Sequence, residues 1–297
     1  MTVWRKILQA IEAATGDNFH PDVRRRAGGG CTNQAYVIED GTRRYFVKLN
    51  DADRLTMFEA EGAGLRELAA AHAVRVPRPV CVGRAGAHSF IVIEHIELGR
   101  RGDMTAFGRQ LAILHQKRAP QFGWHTDNTL GTTPQINGYM ADWCEFWRDR
   151  RLGCQLALAH RAGYGGSLQE KGARLLARFQ GLFADYQPRP ALLHGDLWGG
   201  NYGFDADGRA VIFDPAVYYG DREADLAMTE LFGGFGEAFY AAYRGVYPLD
   251  AGYPVRKVLY NLYHVLNHLN LFGGGYATQA ERMLDFLLSE LGEYGRG

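Results

Sequence analysis

The stretch His194-Gly195-Asp196-Leu197-Trp198-Gly199-Gly200-Asn201, with Val211-Ile212-Phe213-Asp214 after it, decides how this 297-residue chain is read. Asn201 to Phe204 can run out as one strand, Asp205 to Gly208 turn, and Arg209 to Phe213 run back. Such a hairpin returns Asp214, eighteen positions after Asp196, close to Asp196 and Asn201. Two carboxylates and an amide converging at strand ends are hard oxygen donors of the kind magnesium takes, with one carboxylate left to accept a proton. A single aspartate is most often a turn or cap residue. The combination with His194, at an Asp-to-Asn interval of five, outweighs that ordinary reading.

That interval matches the catalytic loop of kinases, H-R-D-x-x-x-x-N, in which the Asp takes a hydroxyl proton and the Asn holds a metal. Phosphate chemistry also needs a counter-charge, and lysine is scarce: the 33 basic residues include only Lys6, Lys48, Lys117, Lys171 and Lys257. In Arg44-Tyr45-Phe46-Val47-Lys48-Leu49, alternation puts Tyr45, Val47 and Leu49 on one face of a strand and Lys48 with Phe46 on the other. On the helix that follows, Phe58, Glu61, Leu65 and Leu68 share a side, so Glu61 sits on an apolar face and needs a cation. A strand lysine paired to a glutamate on the next helix is how protein kinases position nucleotide phosphates. Upstream, Gly28-Gly29-Gly30 lets backbone amides approach phosphates, although Asn33 stands where a third spaced glycine would complete a kinase loop. Glu94-His95-Ile96 ends the last strand of this region, and the backbone of Glu94 and Ile96 is the candidate adenine hinge.

Working outward, residues 22 to 96 are strand-rich. A hairpin turns at Asp40-Gly41, a helix runs from Leu55 to Ala73, and short strands follow at Val80 to Gly83 and Ser89 to Glu94. Beyond residue 97 helical periodicity dominates: Met104 to Gln116, Met140 to His160, Leu168 to Ala184, Asp221 to Phe232, Gly236 to Tyr247, Val255 to Phe272 and Thr278 to Leu291. The pattern predicts an α+β, bilobal, protein-kinase-like fold. Residues 1–96 form a small N-terminal antiparallel sheet lobe with the nucleotide site, and 97–297 a larger helical C-terminal lobe with the catalytic loop and acceptor site.

Composition narrows the function classes. With 33 acidic residues against the 33 basic ones, formal net charge is zero, which argues against nucleic acid as a partner. No apolar run is long enough to span a bilayer, so no membrane role is expected. The four cysteines lack metal spacing and follow no targeting segment, and the expected compartment is the cytoplasm with reduced thiols. Cys31, beside the glycine loop, is the candidate redox residue, because amides that attract phosphate also favour a thiolate.

Taken together, the motifs resemble the fructosamine/ketosamine-3-kinase family, within the aminoglycoside phosphotransferase-like kinases. They are GGGC at 28–31, VK at 47–48, MFEAE at 57–61, VPRP at 76–79, LAILH at 111–115, LGTTPQINGY at 130–139, DWCEFWRDRRLGCQL at 142–156, HGDLWGGN at 194–201, FDPAVYYGDREADLAM at 213–228 and LNHLNLFGGGY at 266–276. The resemblance implies ATP- and Mg2+-dependent phosphorylation of the third-carbon hydroxyl of ketosamines, as small molecules or as glycated protein lysines, by a monomer or homodimer. It implies Asp196 as general base, Asn201 and Asp214 as magnesium ligands, Lys48 on the phosphates and Glu61 as its partner. Trp198 is a candidate platform for the sugar or amine. Two other readings are a kinase of this fold with a different acceptor, such as an amino sugar, a choline-like alcohol or an aminoglycoside, and a nucleotide-binding module without transfer. Outside the site, Trp143, Phe146, Trp147 and Leu152 read as core, Arg148 to Arg151 as a solvated or interlobe face, and His264 with His268 as polar side chains of a packed helix. Asp225 reads as a structural tie to the catalytic region.

Overall fold

The computed structural model describes residues 3–28 and 33–292. In chain order the elements are α1 (Val3–Thr15), β1 (Val23–Arg26), β2 (Gln34–Glu39), β3 (Arg44–Asp51), α2 (Leu55–Ala70), β4 (Pro79–Ala85), β5 (His88–Glu94), α3 (Met104–Leu114), β6 (Asn128–Leu130) and β7 (Thr133–Gln135). Then come α4 (Trp143–Trp147), α5 (Gly153–Arg161), α6 (Ser167–Arg178), β8 (Ala191–Leu193), β9 (Tyr202–Phe204), β10 (Ala210–Ile212), β11 (Tyr218–Gly220), α7 (Arg222–Leu231), α8 (Glu237–Val246), α9 (Tyr253–Phe272) and α10 (Tyr276–Glu290).

The chain divides into two units, residues 1–107 with 201–215, and 108–200 with 216–297. In the first, β1 to β5 make one antiparallel sheet in the order β1-β2-β3-β5-β4. Its β2–β3 turn forms where expected: Gly41 has a φ of +83°, and the Asp40 carboxylate accepts the N–H groups of Thr42 and Arg43 at 3.2 and 2.8 Å. The alternation in β3 also holds. Tyr45, Val47 and Leu49 pack with Ile7 and Ile11 of α1, Phe19, Phe90 and Val92 in one apolar cluster, which leaves Lys48 on the opposite face.

The hairpin β9–β10 clusters with the first unit, whereas the sequence pattern assigns it to the lobe beginning at 97. Backbone pairing explains this. Gly99 and Phe204 exchange N–H···O bonds of 2.7 and 2.9 Å, and the Ile212 N–H reaches the Arg75 carbonyl at 3.0 Å. The Arg75 guanidinium also bonds the Asp205 carboxylate at the hairpin turn.

In the second unit the long, largely buried helix α9 packs against α5, α7 and α10, and β8 pairs antiparallel with β11. The helix expected from Met140 to His160 is interrupted by a π turn at Arg148–Leu152. Gly153 allows it: a Cβ there would lie 2.6 Å from the Arg148 carbonyl oxygen. The wider turn changes which side chains face inward. Arg148 and Asp149 remain at the surface as a solvated pair, but Arg151 is fully buried, contrary to a solvated or interlobe face for the whole run.

Candidate active site

In the first unit Lys48 of β3 is 6% exposed, and its Nζ lies 2.6 Å from Glu61 Oε1 and 2.6 Å from Asp214 Oδ1. The strand and helix periodicities brought Lys48 and Glu61 together as expected; Asp214 is an additional partner. Burial alone would discharge the ammonium, but the Asp214 and Glu61 charges and hydrogen bonds raise its pKa, so Lys48 stays cationic. Burial raises the Glu61 pKa, Lys48 opposes that, and the Asp214 charge adds to it. Asp214 itself adopts a φ of +56°, a conformation costly for a non-glycine residue. The β9–β10 hairpin holds it there, with the Phe213 N–H on the Asn201 carbonyl at 3.0 Å.

Asn201 is buried, while the Asp214 side chain is 45% exposed. One carboxylate beside one amide suits magnesium carried on phosphates, since that ion keeps waters and needs only one or two protein oxygens. Among the described residues no group of three or more His, Cys, Asp or Glu side chains could hold a metal.

Other nucleotide candidates are placed unevenly. Gly28 is exposed, with open space where a Cβ would point; Gly29, Gly30 and Cys31 lie outside the described residues. Glu94 donates its N–H to the Arg78 carbonyl at 2.8 Å, and its carboxylate takes Arg75 at 3.0 Å and the Arg78 N–H at 3.2 Å. The Glu94 N–H is thus already engaged within the sheet. Ile96 is half-buried just beyond β5.

In the second unit Asp196 follows β8 in a loop tied down at its backbone. The Asp225 carboxylate, fully buried in α7, accepts the His194 and Gly195 N–H groups at 2.7 and 2.8 Å. Burial opposes its charge, but the His115 hydrogen bond, the His115 and His194 charges and the Gly195 N–H hold its pKa below the ordinary value. His115 contacts Asp225 at 3.3 Å through Nε2 and the Tyr243 hydroxyl at 2.8 Å through Nδ1. Gly195 has a φ of +82°, and a Cβ there would lie 2.1 Å from the Ala216 carbonyl oxygen. Asp196 is half-buried, and its N–H points to His194 Nδ1 at 3.3 Å. Leu197 is buried beneath the loop while Trp198 is 38% exposed, its ring 6.0 Å from that of Phe232. Sequence reasoning singled out Asp225 as a tie but missed His115 and Tyr243. Their partners lie 110 and 128 positions away, beyond any local pattern.

The family model for fructosamine kinase matches residues 3–290. The chain belongs to the fructosamine kinase family. It is 50% identical over 284 residues to a probable ketoamine kinase of Synechocystis, covering 95% of each chain. It is 45% identical over 269 residues to a chloroplastic protein-ribulosamine 3-kinase of Arabidopsis thaliana, covering 89% of this chain and 82% of that one. A putative fructosamine-3-kinase from Haemophilus somnus, solved by crystallography, superposes with a TM-score of 0.88 at 29% identity, over 96% of this chain and 97% of that one. The α+β, protein-kinase-like fold expected from the motifs is the one this family shares.

Proposed function

We propose that this fructosamine kinase family member transfers the γ-phosphoryl group of ATP to the third-carbon hydroxyl of ketosamines, the adducts of sugars with amines. The observation that carries the reading is the buried Lys48, held between Glu61 and Asp214. Its ammonium is positioned and kept charged for nucleotide phosphates, and the family match supplies the acceptor class. In the mechanism, Lys48 and the glycine loop at 28–30 hold the phosphates, and Asp196 orients the acceptor hydroxyl and takes its proton as the new P–O bond forms and the bond from the γ-phosphorus to the bridging oxygen breaks, releasing ADP. Asn201 and Asp214 would hold magnesium, which supplies charge neutralisation on the phosphate oxygens when bound. Trp198, exposed beside Phe232, offers an aromatic face to the sugar or amine.

A phosphate on the carbon next to the ketone is a good leaving group, so the product adduct becomes labile, and the activity serves deglycation. The cytoplasm is the proposed compartment, with small ketosamines or glycated lysines as acceptors. In support, Cys81, Cys144 and Cys154 are free thiols, and no helix of the described residues is long and apolar enough to cross a membrane. The test is phosphate transfer from ATP to a panel of ribulosyl- and fructosyl-lysine compounds, with the product position assigned by NMR. Third-carbon phosphate is the expected product. Transfer only to an amino sugar, choline or aminoglycoside overturns the acceptor assignment, and nucleotide binding without any transfer overturns the enzyme.

A further inference from the structure

The motifs at 130–139 and 142–156 have no role in the chemistry above, yet they meet in one buried polar chain inside the second unit. Arg151, fully buried, donates through one guanidinium nitrogen to the Ile136 and Arg150 carbonyls at 2.7 and 3.0 Å, and through another to Asn137 Oδ1 at 2.8 Å. Asn137 Nδ2 donates to the Thr126 carbonyl at 3.2 Å and to Asn128 Oδ1 at 3.0 Å. Gln135 Nε2 donates to the same Asn128 oxygen at 2.8 Å and to the Ala216 carbonyl at 3.1 Å, while its Oε1 accepts the Tyr263 hydroxyl at 2.9 Å. Asn128 Nδ2 donates to the Val217 carbonyl at 2.8 Å. The chain ends on Ala216 and Val217, and the Ala216 N–H in turn holds the His194 carbonyl at 2.9 Å. His194 opens the catalytic loop, so this chain braces it through backbone bonds separate from those made by Asp225.

The cation is the unexpected component. Among the described residues no carboxylate lies within ion-pair distance of Arg151, and a buried charge is expensive without compensation. Carbonyl oxygens and aromatic faces supply it here: the guanidinium carbon lies 4.6 Å from the Phe146 ring centre and 4.1 Å from that of Tyr218, in the strand paired with β8. For stability alone, an apolar side chain of similar volume often serves as well as a buried charge. What a guanidinium adds is direction, because it has donors and no acceptor. It requires the oxygen of Asn137 to face it, which turns the Asn137 nitrogen to Asn128, and the Asn128 nitrogen to Val217. The backbone carbonyls at the far end demand the same sense.

We propose that Arg151 is a positioning residue for phosphoryl transfer: its buried cation locks Asn137, Asn128 and Gln135 in the one orientation that holds residues 216–217 against the catalytic loop. The transfer arm of its test rests on the kinase reading given above; a second arm does not. Arg151→Met keeps the volume and removes the charge. It is expected to lower kcat about 30-fold per nucleotide-binding site, with the KM for ATP within about twofold, and Arg151→Lys is expected to recover most of that loss. Independently of turnover, amide hydrogen exchange at Ala216 should quicken about tenfold in Arg151→Met under conditions where the protein remains folded. A kcat per nucleotide-binding site within twofold of the parent, or unchanged exchange at Ala216, overturns the proposal. If Arg151→Met fails to fold, Tyr263→Phe decides: it removes the donor to Gln135 Oε1, and the same exchange should quicken and kcat fall about fivefold, unchanged values again overturning it. Absence of transfer by the parent protein itself would remove the kinase reading and leave the exchange arm to judge the brace.

Discussion

At the scale of single residues, the site depends on charges that cannot be exchanged for near equivalents. Lys48 presents one compact ammonium at 2.6 Å to two carboxylates from a position 6% exposed. A planar guanidinium is larger and has fixed donor directions. Lys48→Arg is therefore expected to cost about 100-fold in kcat/KM for ATP in a steady-state transfer assay. A value within threefold of the parent would show that charge alone, and not its placement, is what the phosphates need. Asp196 and Asp214 should differ from one another in a way that separates their roles. Removing a general base commonly costs on the order of 10²–10⁴ in rate, so Asp196→Ala should lose transfer by that order while ATP still binds with near-parental affinity. Asp214→Ala should lose transfer and also weaken the dependence of ATP affinity on added magnesium, read by calorimetry with and without the ion. Near-parental turnover in either variant contradicts the assignment.

At the scale of elements, the catalytic loop is held by backbone geometry and one buried carboxylate. Gly195 is required on two counts, its φ of +82° and the 2.1 Å approach of the Ala216 oxygen to any Cβ. Asp225→Asn replaces one acceptor oxygen with a donor facing a backbone N–H, at a residue only 1% exposed. Breaking a buried charged partner typically costs about 3–5 kcal/mol, and that loss should appear as a lower denaturation midpoint of Asp225→Asn at unchanged m-value. These elements also show where the sequence was informative. The Lys48–Glu61 pair was legible because strand alternation and a helical face are local periodicities, and the 201–213 hairpin because its turn residues announce it. Other features leave no such trace. Asp214 reaches Lys48 across 166 positions, the three-residue strands β6, β7, β8 and β11 are too short to alternate, and a π turn differs from an α turn by one residue whose inward face no pattern marks. Arg151 was misplaced for that last reason, its charge suggesting solvent when the turn geometry buries it.

At the scale of the whole molecule, 33 acidic and 33 basic residues leave no net self-repulsion near neutrality, so stability against pH is set by carboxylates whose environments differ. One group is held low. Asp205 is down to about 2 from an ordinary 3.8: burial opposes its charge, but the Arg209 backbone N–H, the Arg75 and Arg209 side chains and the Asp207 N–H prevail. A depressed folded-state pKa contributes stability above the unfolded value and loses it as pH falls from about 4 to about 2. Another group is held high. Burial pushes the Glu223 carboxyl up to about 7, with Arg256 opposing at 2.8 and 3.0 Å and the Asp221 charge adding to the rise. A raised folded-state pKa acts in the other sense: its contribution is complete below the unfolded value near 4.5 and fades as pH climbs through about 7. Thermal midpoints should therefore be highest near pH 4 to 4.5, fall toward pH 2 on the acid side, and fall between about pH 4.5 and 7 on the other before levelling off. Asp205→Asn should shallow the acid decline, because the carboxylate that ties the 202–212 hairpin to Arg75 no longer titrates. Glu223→Gln should lower stability overall through loss of its Arg256 pair, yet flatten the decline between about pH 4.5 and 7. Melting curves across pH 2–9 check both slopes, and an acid limb equally steep in Asp205→Asn would show that the hairpin anchor is not what acid removes.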